Sequence, residues 1–103
     1  MDKYQIREEV IARLHTIFDP EIPVNIYELG LVYEVSVSDE KKVHVLMTLT
    51  APACPAAEIL PAEVKEKSLS VEGVTDAEVE ITFEPPWTKE MMSEEAQLEL
   101  GFM

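Results

Sequence analysis

The sequence has little of what several protein classes require. With one cysteine among 103 residues, no disulfide can close within the chain, which excludes a small secreted domain held by disulfides. The longest uncharged stretch, 43–57, is shorter than the roughly 20 residues needed to cross a bilayer. The first residues are charged and amphipathic, so they do not predict a signal peptide. We therefore expect a soluble, cytoplasmic protein.

Basic residues are also scarce. Lysine and arginine together number 8 against 21 aspartates and glutamates, which gives a formal net charge of −13. Nucleic acids and anionic membranes are bound through basic surfaces, so neither is an expected partner. The charge instead favours basic protein partners, whose association would weaken as salt rises.

The length and hydrophobic content predict one folded domain over residues 1–103. A chain that is 47% hydrophobic and 28% charged is too apolar for a disordered tail. Its size fits a single core, because domains usually contain about 50 to 200 residues.

The first segment predicts an amphipathic helix. Asp2, with Gln5 three residues later, has the form of a capping box. The helix should end before Asp19-Pro20, because a residue that precedes proline is disfavoured in the helical region. Its apolar positions recur at helical spacing, and they are Ile6, Val10, Ile11, Leu14, Ile17 and Phe18.

Three later segments predict β-strands, because apolar residues alternate with polar ones. A polar five-residue turn, 38–42, separates the first two strands and predicts an antiparallel hairpin. One apolar face per strand predicts a sheet covered on one side. The core-facing positions are Leu31, Tyr33, Val35 and Val37, then Val43, Val45, Met47 and Leu49, then Ala77, Val79, Ile81 and Phe83.

Two further helices complete the predicted fold. Residues 55–68 carry an apolar stripe of Ile59, Leu60 and Val64; Pro55 suits the first helical position, whereas Pro61 is unfavourable inside the helix. A short C-terminal helix is expected at about 93–100. The order helix, strand, strand, helix, strand and short helix predicts an α+β fold, a two-layer sandwich.

Cys54 is the main candidate for chemistry. It follows a predicted strand and directly precedes a predicted helix, where backbone N–H groups stabilise a thiolate. No acidic residue lies between Val43 and Ala57, so local like-charge repulsion is absent. The alternative is that Cys54 is a small buried hydrophobic residue, as many lone cysteines are. His44 belongs to an extended strand too far from Cys54 to activate it.

Three other residues are candidates with structural alternatives. Asp19 and Glu21 lie between prolines and could orient a thiol, although acids in such loops commonly serve as caps and turn formers. Trp87 could anchor a partner, since tryptophan is enriched at binding hot spots. It could equally pack as a lid over one end of the core.

Five segments of the chain form a recognisable set: DPEIP at 19–23, IYELGLVY at 26–33, MTLT at 47–50, ACP at 53–55 and EPPWT at 84–88. Together they resemble the SufT and PaaD-like family of iron–sulfur cluster assembly factors. By this resemblance the chain is a metal–sulfur cluster biosynthetic domain of SufT type with the small iron–sulfur cluster assembly fold. Cys54 is then the functional thiol, and Asp19, Glu21 and Thr50 surround it.

The resemblance implies a non-enzymatic accessory or targeting factor that helps mature iron–sulfur client proteins with other assembly proteins. A cluster usually takes four thiolates, so one Cys54 would bind a labile cluster only between chains, for example in a homodimer. A metal-free acidic adaptor for assembly proteins or clients is the alternative. A thiol redox enzyme is less favoured, because no second cysteine can resolve an oxidised Cys54.

Overall fold

The computed structural model describes residues 2–18, 24–49 and 56–101. The predicted order of elements is confirmed, and a 3-10 turn at Lys89–Met91 adds to it. The elements are α1 (Lys3–Leu14), β1 (Val32–Val37), β2 (Lys42–Met47), α2 (Ala56–Leu69), β3 (Asp76–Ile81) and α3 (Glu94–Glu99).

The three strands form one mixed sheet in the order β1-β2-β3. β1 and β2 are antiparallel, as the hairpin predicted, whereas β2 and β3 are parallel. Parallel neighbours need a crossover, and α2 provides it. α1 packs on β1, α2 packs on β3, and the two helices contact each other. Both helices therefore cover the same face of the sheet, and the fold is α+β with two layers.

Aliphatic side chains fill the space between the layers. α1 buries three side chains from the predicted stripe, and β2 buries its whole predicted face. Full burial of each large aliphatic side chain contributes about 1.5–3 kcal/mol. The completely buried residues of the two layers include Ile6, Val10, Leu14, Val45, Met47 and Val64.

α1 is shorter than predicted. Asp2 accepts from the Gln5 backbone and Gln5 caps Asp2 in return, which confirms the capping box. The helix ends at Leu14, however, because the Thr16 hydroxyl and backbone N–H both donate to Arg13 O and close a tight last turn. Phe18 lies beyond this turn and is 52% exposed, so its predicted place in the core is wrong.

A β-bulge changes the face of β1. Val32 lies opposite Met47 and Glu34 lies opposite Leu46, so Tyr33 is an extra residue in β1. The bulge breaks the period of two, and Val32 rather than Tyr33 packs against the core. The predicted inward position of Tyr33 is therefore wrong.

Two other predicted core residues are exposed. In α2 the buried positions are four residues apart, at Leu60, Val64 and Ser68, which leaves Ile59 50% exposed. Phe83 lies past the end of β3 and is 42% exposed. Pro61 is accommodated within α2, whereas Pro55 lies outside the described residues.

The predicted C-terminal helix is confirmed as α3. The Ser93 hydroxyl accepts from Ala96 N–H at 3.1 Å, as a helix cap does, and Gly101 follows with a φ of +80°. Across the part of the chain that the structure covers, no helix is both long and apolar enough to span a bilayer.

Candidate functional site

The predicted thiol site falls mainly on segments outside the described residues. Cys54 and Thr50 belong to 50–55, and Asp19 and Glu21 belong to 19–23. Their proximity and their roles therefore stay predictions. The structure does describe the residues on either side of each of these two segments.

Segment 50–55 begins at the end of the sheet where β2 and β3 finish. The chain reaches it through Thr48 and Leu49, which are 0% and 4% exposed, and continues into α2 at Ala56. Thr82 N–H donates to Met47 O at 2.9 Å, so the carboxyl ends of β2 and β3 lie side by side. In parallel sheets, ligands commonly bind just beyond this end.

The residues that lead into 19–23 are hydrogen-bonded to the same end of the sheet. Three backbone hydrogen bonds run from Ile26 N–H to Ile17 O, from Leu31 N–H to Ile26 O, and from Thr48 N–H to Leu31 O, at 2.8, 3.1 and 2.8 Å. Each such bond joins chain stretches about 5 Å apart, so Ile17 and Thr48 lie within about 15 Å. The chain enters 19–23 two residues after Ile17 and enters 50–55 two residues after Thr48.

The turn at 25–30 forms the middle of this connection. The Asn25 side chain accepts from Glu28 N–H at 2.9 Å, and Gly30 N–H donates to Tyr27 O at 3.1 Å. Gly30 has a φ of +80°, and the Met91 backbone packs where a β-carbon would stand. Glycine is therefore required both by conformation and by space.

Residues 84–93, here called the C-terminal clasp, bind this turn from outside. Trp87 Nε1–H donates to Leu29 O at 2.7 Å, and Ser93 N–H donates to Glu28 O at 2.9 Å. The Tyr33 hydroxyl, displaced from the core by the bulge, donates to Pro85 O at 2.7 Å. These contacts fix the geometry of the turn that links the two segments.

Trp87 is thus partly buried against the core and bonded through its indole nitrogen. This placement agrees with the lid interpretation of Trp87. Its partner-binding role is a separate question that the contacts do not test, and it stays a prediction.

An acidic groove lies beside the point where 19–23 begins. It measures about 170 Å³ and lies between the 25–30 turn and α3. The exposed ring of Phe18 and three carboxylates line it, from Glu28, Glu95 and Glu99. Sequence reasoning missed this groove, because α3 and the turn are far apart in sequence and only the fold brings them together.

His15 and Tyr27 border the same turn. The His15 ring lies 4.5 Å from the Tyr27 ring, and its Nδ1 lies 2.8 Å from Ile11 O. His15 Nε2 lies 3.4 Å from a Glu28 oxygen. His15 therefore holds Glu28 and α1 together.

Within the clasp, Glu90 is the titratable group whose pKa departs clearly from its usual value. Hydrogen bonds from its own backbone N–H and from the Thr88 side chain hold the pKa of Glu90 below its usual value. Its carboxylate consequently helps to order the 3-10 turn.

The described residues do not supply a metal centre. Within 2–18, 24–49 and 56–101, no group of three or more His, Cys, Asp or Glu side chains could hold a metal ion. His44 pairs instead with Glu80, at 3.1 Å between Nε2 and Oε1 on the sheet face opposite α1 and α2.

Named bacterial proteins are similar to nearly the whole chain. A protein of Porphyromonas gingivalis named Fe-S protein maturation auxiliary factor is 54% identical over 99 residues, which cover 96% of this chain and 94% of that protein. A Staphylococcus aureus protein named Fe-S protein maturation auxiliary factor SufT is 44% identical and covers 82% of this chain and 97% of its own. A Synechocystis protein named iron-sulfur cluster carrier protein is 29% identical over 82% of this chain, but over only 24% of its own length.

Solved structures and a family model agree with these relatives. A crystal structure of a DUF59 domain from Bacillus anthracis superposes with a TM-score of 0.90 at 35% identity, over 98% of this chain and 96% of that one. The family model described as iron-sulfur cluster assembly protein matches residues 7–81. The match begins in α1 and ends with β3, so it includes both segments of the predicted thiol site. The chain belongs to the iron–sulfur cluster assembly protein family.

Proposed function

We propose that this chain is an accessory factor in the maturation of iron–sulfur proteins and that Cys54 is its functional thiol. The main support is the common anchoring of 19–23 and 50–55 at the end of the sheet where β2 and β3 finish. A thiol that precedes α2 would be stabilised as a thiolate by the backbone N–H groups of the first helical turn. The names of the relatives support the same process.

In this proposal the chain assists transfer and is not an enzyme. One thiolate is too few for a stable cluster, so an iron–sulfur cargo would share ligands with a second copy or with a client protein. Such a cargo is labile, which suits delivery. Assembly proteins and client apoproteins are the proposed partners, and the cytoplasm is the proposed compartment.

Anaerobic reconstitution with iron and sulfide tests the thiol. The wild-type protein should gain visible absorption and bound iron, and Cys54→Ser should lower both at least tenfold. The matched control is the double variant Cys54→Ser/Glu72→Cys, which places a single thiol on an exposed position before β3, at the opposite end of the sheet. Equal iron in the wild type and Cys54→Ser, or full recovery in the double variant, would contradict the role of Cys54.

A metal-free adaptor is the second candidate, and the acidic groove favours it. Three glutamates around the exposed ring of Phe18 suit a basic segment that carries an apolar side chain. For this function we expect Glu95→Lys/Glu99→Lys to weaken capture of an assembly partner and Cys54→Ser to leave capture unchanged. If Cys54→Ser weakens capture and Glu95→Lys/Glu99→Lys leaves it unchanged, the result favours Cys54 as the functional thiol. Capture that does not change with salt would exclude the adaptor.

A further inference from the structure

The two edges of the sheet differ in how far the described residues cover them. At the β1 edge, Arg7 Nε–H of α1 donates to Val35 O at 2.9 Å, so a side chain occupies part of that edge. At the other edge, β3 pairs with β2 alone, and no described residue forms a strand on its outer side. An edge strand left open in this way can pair with another chain.

The hydrogen-bond pattern identifies which amides face the open edge. Thr82 N–H donates to Met47 O, and Met47 is in register with Ile81. Amides alternate between the two sides of a strand, so Glu78 and Glu80 N–H point to β2 while Val79 and Ile81 N–H point outward. Ala77 N–H, on the same outward side, donates at 2.9 Å to the Asp76 carboxylate. Among the described residues, no acceptor is bonded to the N–H of Val79 or Ile81, so these two amides are the donors that the edge offers.

A groove runs along this edge. It has a volume of about 430 Å³ and lies between 76–79 of β3 and the Pro61, Ala62 and Lys65 side of α2. Ala62 is exposed and its small side chain leaves the groove wide. An edge strand beside a helix is the arrangement in which proteins accept an extended segment by strand addition.

We propose that the outer edge of β3 accepts an extended basic segment of a partner protein as a fourth strand, seated in the groove beside α2. The segment would pair with the amides and carbonyls of Val79 and Ile81. Its basic side chains would alternate so as to lie beside Glu78 and Glu80. This proposal does not depend on whether Cys54 binds a cluster.

The acidic residues along β3 favour a basic partner segment over a second copy of the chain. β3 carries Asp76, Glu78 and Glu80, whereas Lys65 is the basic residue among those lining the groove. A second copy that paired through its own β3 would place carboxylates opposite carboxylates, which is unfavourable across neighbouring strands. A segment with lysine or arginine at alternate positions gains attraction at the same places.

Titration with a synthetic peptide tests the proposal. The probe is a capped eight-residue peptide in which lysine alternates with valine or threonine, and its control replaces every lysine by glutamate. With ¹⁵N-labelled protein, we expect the lysine peptide to bind at least tenfold more tightly and to slow hydrogen exchange at the Val79 and Ile81 amides. Slowing at other amides only, or equal binding of both peptides, would overturn the proposal.

Two variants separate strand addition from general attraction to an acidic protein. Val79→Pro removes one outward donor, and Val79→Ala is its matched control, since both lose the valine packing but only proline loses the N–H. We expect at least tenfold weaker binding for Val79→Pro and less than threefold for Val79→Ala. Equal binding by both, when both are folded, would overturn the proposal.

Glu78→Lys provides the test should Val79→Pro not fold, because Glu78 is exposed. The ratio of the affinities for the lysine and glutamate peptides should shift at least threefold toward the glutamate peptide. An unchanged ratio would overturn the proposal that the peptide binds beside Glu78. Protection of Val79 and Ile81 that rises with protein concentration in the absence of peptide would instead identify a second copy as the occupant, which also overturns the proposal.

Discussion

The two ends of the sheet are stabilised by different kinds of contact. At the end next to 19–23 and 50–55, buried backbone groups join the 25–30 turn, β1, β2 and the C-terminal clasp. At the opposite end, the contacts of the hairpin turn are exposed: Thr75 N–H, on an exposed residue, donates to Lys41 O at 3.0 Å, and an ion pair ties the turn to α1, with 2.7 Å between Lys3 Nζ and Asp39 Oδ1. That pair is open to solvent, since the Asp39 side chain is 89% exposed.

This difference indicates where the fold requires an exact backbone position. Buried hydrogen bonds fix position and are insensitive to salt, whereas an exposed ion pair contributes little and is screened. The end that anchors the predicted thiol site is therefore the one whose geometry is held. Matched substitutions at the two ends test this interpretation.

Gly30→Ala should have the largest effect. The new β-carbon would overlap the Met91 backbone, and Gly30 has a φ of +80° that alanine rarely adopts. We expect a loss of about 3 kcal/mol in the free energy of unfolding, measured by urea denaturation. A loss below about 1 kcal/mol would mean that the clasp moves easily away from the turn.

Trp87→Phe should have the next largest effect. Phenylalanine keeps most of the packing but leaves Leu29 O without the indole donor that lies at 2.7 Å. We expect a loss of about 1–2 kcal/mol in unfolding free energy. Phe83→Ala is the control, because Phe83 is a 42% exposed aromatic residue near the same end and should cost less. Equal losses would show that the indole hydrogen bond is unimportant.

Gly73→Ala is the matched substitution for Gly30→Ala at the opposite end of the sheet. Gly73 also has a positive φ, of +92°, but its added β-carbon would stand 3.4 Å from the flexible end of Ile6. The expected loss is about 1 kcal/mol, from the backbone conformation alone. If Gly73→Ala is as destabilising as Gly30→Ala, the two ends do not differ in rigidity.

Asp39→Asn should have the smallest effect. Hydrogen bonding and attraction to Lys3 lower the pKa of Asp39, and the same contacts with Asp39 raise the pKa of Lys3. The lowered Asp39 pKa adds stability that is lost as the pH falls through it, and the raised Lys3 pKa adds stability that is lost as the pH rises through it. The pair should therefore matter only between the titrations of the two groups.

Melting temperatures of the wild type and Asp39→Asn, compared at low and high salt near neutral pH, check this prediction. The small difference expected at low salt should disappear at high salt. A difference that persists at high salt would show that the ion pair has a positioning role like that of the clasp.

Local signals in the sequence predicted most of the elements. The Asp2–Gln5 capping box, the short helix expected at about 93–100 and the alternation in β2 are all found in the fold. The errors at Phe18 and Tyr33 have causes outside local periodicity, since one follows an early helix end and the other a bulge. The parallel pairing of β3 likewise depends on contacts between distant residues.

The site was predictable to a smaller extent. The sequence indicated Cys54 from its place between a strand and a helix, and the fold supplies that strand and that helix on either side of 50–55. The roles of Asp19, Glu21 and Thr50 remain predictions. The clasp and the acidic groove could not be predicted from local pattern, because each joins segments more than fifty residues apart, as the Trp87–Leu29 hydrogen bond does.

The hydrogen-bond relay from Ile17 through Ile26 and Leu31 to Thr48 has a consequence for any ligand that binds at 19–23 or 50–55. Ile17 and Thr48, which lead into 19–23 and 50–55, belong to one hydrogen-bonded frame, so we expect their spacing to stay the same when a ligand binds. The amides of Ile26, Leu31 and Thr48 should exchange equally slowly in the loaded and unloaded protein. Any adjustment to a ligand would then be confined to residues outside this frame, and the entropic cost of binding would stay local.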